Sequence, residues 1–135
     1  MSVTVAAPAA TSAYELLRRC EEGIRVAERA SDPGERFCAA HMAAIRAAAA
    51  VLAVRGRPRR GSGALNVWQV LPKVAPELGE WAAFFNAGAT RRAAVQAGLC
   101  GVVSGRDADD LLRQTVVFAN LVTEYLGLLP IARGA

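Results

Sequence analysis

The chain contains one histidine, and it lies five residues after an arginine. Arg36-Phe37-Cys38-Ala39-Ala40-His41 matches an Arg-x4-His spacing. A histidine near neutral pKa can take a proton from a ribose 2′-hydroxyl or return one to a leaving oxygen. An arginine nearby can hold a phosphate bidentately as charge builds on it. Together the two would suffice for RNA cleavage without a metal. Geometry argues the other way. Five helical residues turn through about 500°, so the side chains diverge by roughly 140°. His41 also shares a helix face with Phe37 and Ile45. The expectation is therefore a packed, neutral histidine, with a metal-independent endoribonuclease using Arg36 as phosphate clamp and His41 as acid/base as the alternative.

A second group is the basic stretch from Arg55 to Gly63. Arg55, Arg57, Arg59 and Arg60 carry four positive charges, equal to the whole net charge of +4, so the positive balance belongs to one segment. Clustered guanidiniums attract phosphate backbones with a salt-dependent affinity, which makes these four the nucleic-acid-binding candidates. No aromatic residue interleaves with them for base stacking, so a solvated loop is the competing reading. Arg91 and Arg92 either extend the patch or complement a helix C-terminal dipole.

Metal chemistry has little to build on. Cys38 and His41 are spaced i,i+3, but a Cys₃His site would need Cys20 and Cys100 to converge from elsewhere, without the paired close ligands of structural zinc sites. No metal and no cofactor are expected. Asp107, Asp109 and Asp110 sit where acidic residues complement the start of a helix.

The elements that must position these groups read as helices. The 135 residues fit one domain, and alanine dominates a hydrophobic content of 53%. Ser12–Glu15 and Asp32–Glu35 read as capping boxes, Asn66 as a cap for a short turn, and Ser104–Asp107 as a weaker box. The stripe Leu17, Cys20, Ile24, Ala27 buries one face of a first helix. Leu111, Thr115, Phe118, Val122, Tyr125 does the same for a last one. The second helix is apolar almost all round and therefore central. Leu78, Trp81, Phe84 and Phe85 are expected to fill the core from a third, with Trp81 and Phe85 packed against the second.

The spacing predicts helices over 12–30, 33–54, 76–97 and 104–127, an all-α antiparallel up-down bundle of four main helices with a short helical turn before the third. Residues 1–11 and 131–135 read as tails around a single domain spanning 12–130, the first of them disordered. The longest apolar run, Ala39 to Ala53, is interrupted and too short for a bilayer, and the N-terminus lacks a signal-peptide pattern. With an odd number of cysteines, free thiols and a cytoplasmic location are expected.

Three stretches together resemble the HEPN superfamily (higher eukaryotes and prokaryotes nucleotide-binding), in particular an actinobacterial HEPN-like subgroup. They are Glu35 to Ala53 (ERFCAAHMAAIRAAAAVLA), Val67 to Phe85 (VWQVLPKVAPELGEWAAFF) and Asp107 to Ala119 (DADDLLRQTVVFA). The resemblance implies a helical bundle of four to five helices that often dimerises. Some members of the superfamily are ribonucleases; others are non-catalytic partners of nucleotidyltransferases or RNA-binding modules. Their catalytic Arg-x4–6-His motif usually lies around the start of a late helix. Here that region offers Arg106 with no histidine after it, and the literal spacing falls on the second helix instead. The resemblance thus points to a non-catalytic module, expected as a homodimer with an RNA or protein partner, and no membrane partner is expected.

Overall fold

The computed structural model describes residues 7–56 and 66–129. Among these residues five α-helices follow one another: α1 (Ala7–Arg29), α2 (Pro33–Arg55), α3 (Val67–Val74), α4 (Gly79–Gln96) and α5 (Gly105–Tyr125), with a 3₁₀ turn, Pro76–Leu78, leading into α4. No strand occurs among the described residues. The expected short turn is a full eight-residue helix, so five helices form where four and a turn were expected.

Local chemistry accounts for most boundaries. Asp32 accepts a hydrogen bond from the Glu35 amide, and Pro33 occupies the first turn, where a missing N–H costs nothing. Asn66 and Gln69 form a reciprocal capping box on α3, and Ser104 and Asp107 form another on α5. Gly98 follows the last turn of α4 at a φ of 85°, a left-handed conformation that glycine adopts without strain. The first helix departs from expectation. It starts at Ala7, so Ser12 and Glu15 lie inside it and residues 7–11 are helical, not part of a tail. The run Ala-Pro-Ala-Ala explains this: alanine is the best helix former, and proline is tolerated in a first turn.

Helix α2 is the hub, with α1, α3, α4 and α5 all packed against it. Its alanines at 40, 43, 44, 47, 48 and 50 are buried and let neighbouring helices approach closely. The stripes expected on α1 and α5 are buried except for Tyr125, which is half-buried at the end of α5, and the Thr115 hydroxyl on α5 donates to the Ala40 carbonyl of α2 at 3.2 Å. α2 corrects one expectation: it is long and apolar enough to span a bilayer, but over half of the qualifying stretch is buried against the rest of the fold, as in a core helix.

The aromatic core is also rearranged. Phe85, Phe118 and Trp68 are buried, whereas Trp81 is half-buried and Phe84 is 45% exposed. Adjacent residues on a helix point about 100° apart, so Phe84 and Phe85 cannot both face α2. Trp81 packs on Phe85 and on Phe118 of α5, at ring separations of 6.2 and 5.4 Å.

Candidate functional site

The structure places Arg36 and His41 in separate networks. Arg36 stands in the first turn of α2, beside the end of α1. Its Nε donates to the Ala27 carbonyl at 3.3 Å and its Nη2 to the Ala30 carbonyl at 2.6 Å, two carbonyls at the end of α1, the first of which also accepts from the Ala30 amide. Its Nη1 donates to Asp109 of α5 at 2.5 Å. All three guanidinium nitrogens are thus used to tie α1, α2 and α5 together. Asp109, read from sequence as a dipole-complementing residue, is in addition the anion of this tie.

His41 lies a turn and a half further along and is completely buried. Its Nε2 is 2.8 Å from the Phe85 carbonyl of α4. A carbonyl only accepts, so Nε2 carries the proton and Nδ1 holds the lone pair. Nδ1 meets no donor among the described residues. Phe37 stacks parallel to the imidazole, while Trp68 and Phe85 present edges or faces to it, with centroids 6.0–6.4 Å away. Gly88 makes this approach feasible. A Cβ there would lie 3.3 Å from the imidazole Cδ2, tight enough that the ring would have to give way. That signal was present in the sequence, as the lone glycine inside the alanine-rich stretch Asn86–Ala94, but its meaning depended on knowing what faces it.

Burial lowers the His41 pKa; the bond to Phe85 partly opposes this, and the nearby Arg92 charge adds to it. The sign for stability follows. A folded pKa below the unfolded one, about 6.5, means the unfolded chain binds the extra proton. Stability is full above that value and falls as pH drops below it, by at most about 1.4 kcal/mol per pH unit. Urea midpoints measured from pH 7.5 to 5.5 are expected to decline, and His41→Phe should remove the decline. A flat profile for the parent would place His41 in contact with water.

Above Gly88 an open groove of about 390 Å³ runs between α4 and α5. Phe37, Phe84, Gly88 and Leu111 supply apolar walls, and Arg91, Asp107 and Asp110 supply charge. Arg91 pairs with Asp107 at 2.8 Å and lies over the Phe37 ring, so it is held within the fold. Hydrogen bonds from Ser104, together with Arg91, hold the Asp107 carboxyl below its usual pKa. Asp110 pairs with Arg113. Val117 and Leu121 are exposed on the face of α5 that carries Asp110, since positions 110, 117 and 121 fall within about 40° of one another.

Of the basic stretch, Arg55 lies with its guanidinium 5.0 Å from the centre of the Tyr125 ring, whose hydroxyl donates to Glu77. Arg57, Arg59 and Arg60 lie outside the described residues. The cysteines are thiols outside any disulfide and dispersed, Cys20 in the core, Cys38 half-buried and Cys100 exposed. No group of three histidine, cysteine or acidic side chains suited to a metal gathers among the described residues.

The family model for HEPN_SAV_6107-like HEPN matches residues 27–123, from the end of α1 through most of α5. This chain belongs to the HEPN superfamily. No curated protein and no solved structure matches it. The matched span holds Arg36, His41, the α4–α5 groove and Arg106. In this HEPN chain the start of α5 is occupied by ion-paired aspartates, and no histidine follows Arg106.

Proposed function

We propose that this HEPN chain is a non-catalytic module that works in the cytoplasm through contacts with protein or nucleic acid, as a homodimer with its main helices in up-down order. The observation that carries the reading is the state of the Arg36–His41 pair. His41 is sealed in an aromatic core with its only proton committed to a backbone carbonyl, and Arg36 spends its three nitrogens on α1 and Asp109. An acid/base must reach the proton it transfers, and a phosphate clamp must turn its guanidinium to the substrate, whereas that of Arg36 is anchored to α1 and α5. Mixed-sequence RNA incubated with the purified, metal-free protein is expected to stay intact, as with His41→Ala and Arg36→Ala. Cleavage by the parent that disappears in a still-folded His41→Ala variant would install the endoribonuclease in place of this reading.

The dimer is supported by the α4–α5 groove. Phe84 lines it, and Val117 and Leu121 stand exposed on the Asp110 face of α5; the three are 45%, 47% and 37% exposed. Its flanking charges come as the opposite-sign pairs Arg91–Asp107 and Arg113–Asp110. A two-fold interface must be complementary to itself, and exposed apolar side chains flanked by balanced charges meet that condition. Sedimentation equilibrium is expected to give a two-subunit mass for the parent and a one-subunit mass for Phe84→Glu/Val117→Glu. A monomeric parent would remove the dimer and leave the question of catalysis untouched.

A further inference from the structure

On the far side of α2, away from the aromatic core, α1 and α2 form a valley of about 360 Å³ lined by Arg19, Glu22, Gly23, Val26, Met42, Ala43 and Arg46. Gly23 and Ala43 set its depth. A Cβ on Gly23 would come within 3.1 Å of the Ala43 Cβ, so the two helices nearly touch and the floor is made of small groups. Val26, 57% exposed, and Met42, 38% exposed, stand over this floor. Arg19 rises from α1 and Arg46 from α2. Among the described residues neither has an ion-pair partner: Glu15 pairs with Arg18, and Glu22 lies 4.0 Å from that same arginine.

We propose that this valley is the docking site of an amphipathic helix from a protein partner, one that presents apolar side chains to Val26 and Met42 and carboxylates to Arg19 and Arg46. Four observations select that occupant. The floor of small residues suits a helix laid along it, anchored at i, i+3 and i+4 spacing, and the flexible Met42 side chain can repack around such anchors. The two arginines give the valley a positive balance that an acidic partner complements, which favours encounter and specificity. Nucleic acid would find no aromatic residue among the lining groups on which to stack a base. A second copy of this chain is a poor match as well. Its densest acidic run, Asp107, Asp109 and Asp110, is already paired with Arg91, Arg36 and Arg113. The proposal concerns a different surface from the α4–α5 groove, and its outcome is independent of whether the protein cleaves RNA or dimerises.

The test uses the full chain with the photoreactive residue benzoylphenylalanine in place of Val26, expressed in the cells the protein comes from, irradiated, and mapped by mass spectrometry. The expected crosslink joins a helix-forming segment of another protein that carries apolar residues at i, i+3 or i+4 flanked by acidic ones. A synthetic peptide of the mapped segment should then bind the purified chain. Its affinity should fall about tenfold or more in Arg19→Glu/Arg46→Glu and weaken with added salt. The double variant should melt as the parent does, since neither arginine forms an ion pair among the described residues. Crosslinking to RNA, to a second copy of the chain or to nothing would overturn the proposal, as would a mapped peptide whose affinity ignores the charge reversal.

Discussion

Replacing Phe85 with alanine is expected to destabilise the fold by about 3–5 kcal/mol. Phe85 is fully buried, and its ring has Trp68 at 4.9 Å, Phe84 and Phe118 at 5.1 Å and Trp81 at 6.2 Å. Truncation would remove the central ring of a cluster joining α3, α4 and α5 and leave a cavity whose walls are rigid aromatic rings, poorly able to collapse inward. The same site holds the backbone acceptor for His41, so a shifted α4 would also orphan a buried N–H. Trp81→Ala should cost less, because that ring is half-buried and its loss opens a path to water instead of a void. Urea unfolding of both variants checks the order. A loss below about 1 kcal/mol for Phe85→Ala would mean that the cluster is not the centre of the core.

Replacing Arg36 with alanine is expected to cost about 2–3 kcal/mol, most of it from the end of α1. The Arg36–Asp109 pair contributes little by itself, since the aspartate is more than half exposed and solvent screens it. The Ala27 and Ala30 carbonyls are different. They lie at a helix end where the partial negative charge of the helix dipole collects, and a guanidinium satisfies them with charge-assisted bonds. Arg36→Lys should recover only a minor part, because an ammonium cannot span two carbonyls and a carboxylate in three directions at once. Asp109→Asn should be nearly silent by comparison. Thermal unfolding of the three variants separates these contributions. Equal losses for Asp109→Asn and Arg36→Ala would show that the ion pair, and not the helix end, is what Arg36 serves.

The caps at Asp32, Asn66 and Ser104, the stripes of α1 and α5 and the all-round apolarity of α2 are local properties. Each follows from side chains within a few residues of one another, and sequence spacing suffices to read them. The start of α1 was misread because Ser12 and Glu15 have the chemistry of a cap whether or not the chain ahead of them is already helical. Alanines and an early proline made it so.

The site depended on distance in space. An Arg-x4-His spacing says which residues share a helix but not what faces them. Only the packing of α1, α4 and α5 onto α2 shows that Arg36 meets the end of a neighbouring helix and Asp109, while His41 meets the Phe85 carbonyl through the space that Gly88 leaves. In the same way, two adjacent phenylalanines are equivalent by composition. The rotation of α4 about its own axis sends Phe85 into the core and Phe84 to the rim of a groove. Composition and local spacing by themselves determined that this chain is helical and which helix is central. Only the tertiary structure decided which arginines are spent inside the fold and which, like Arg19 and Arg46, have no ion-pair partner among the described residues, because an ion pair between helices is a relation that the order of residues along one helix does not contain.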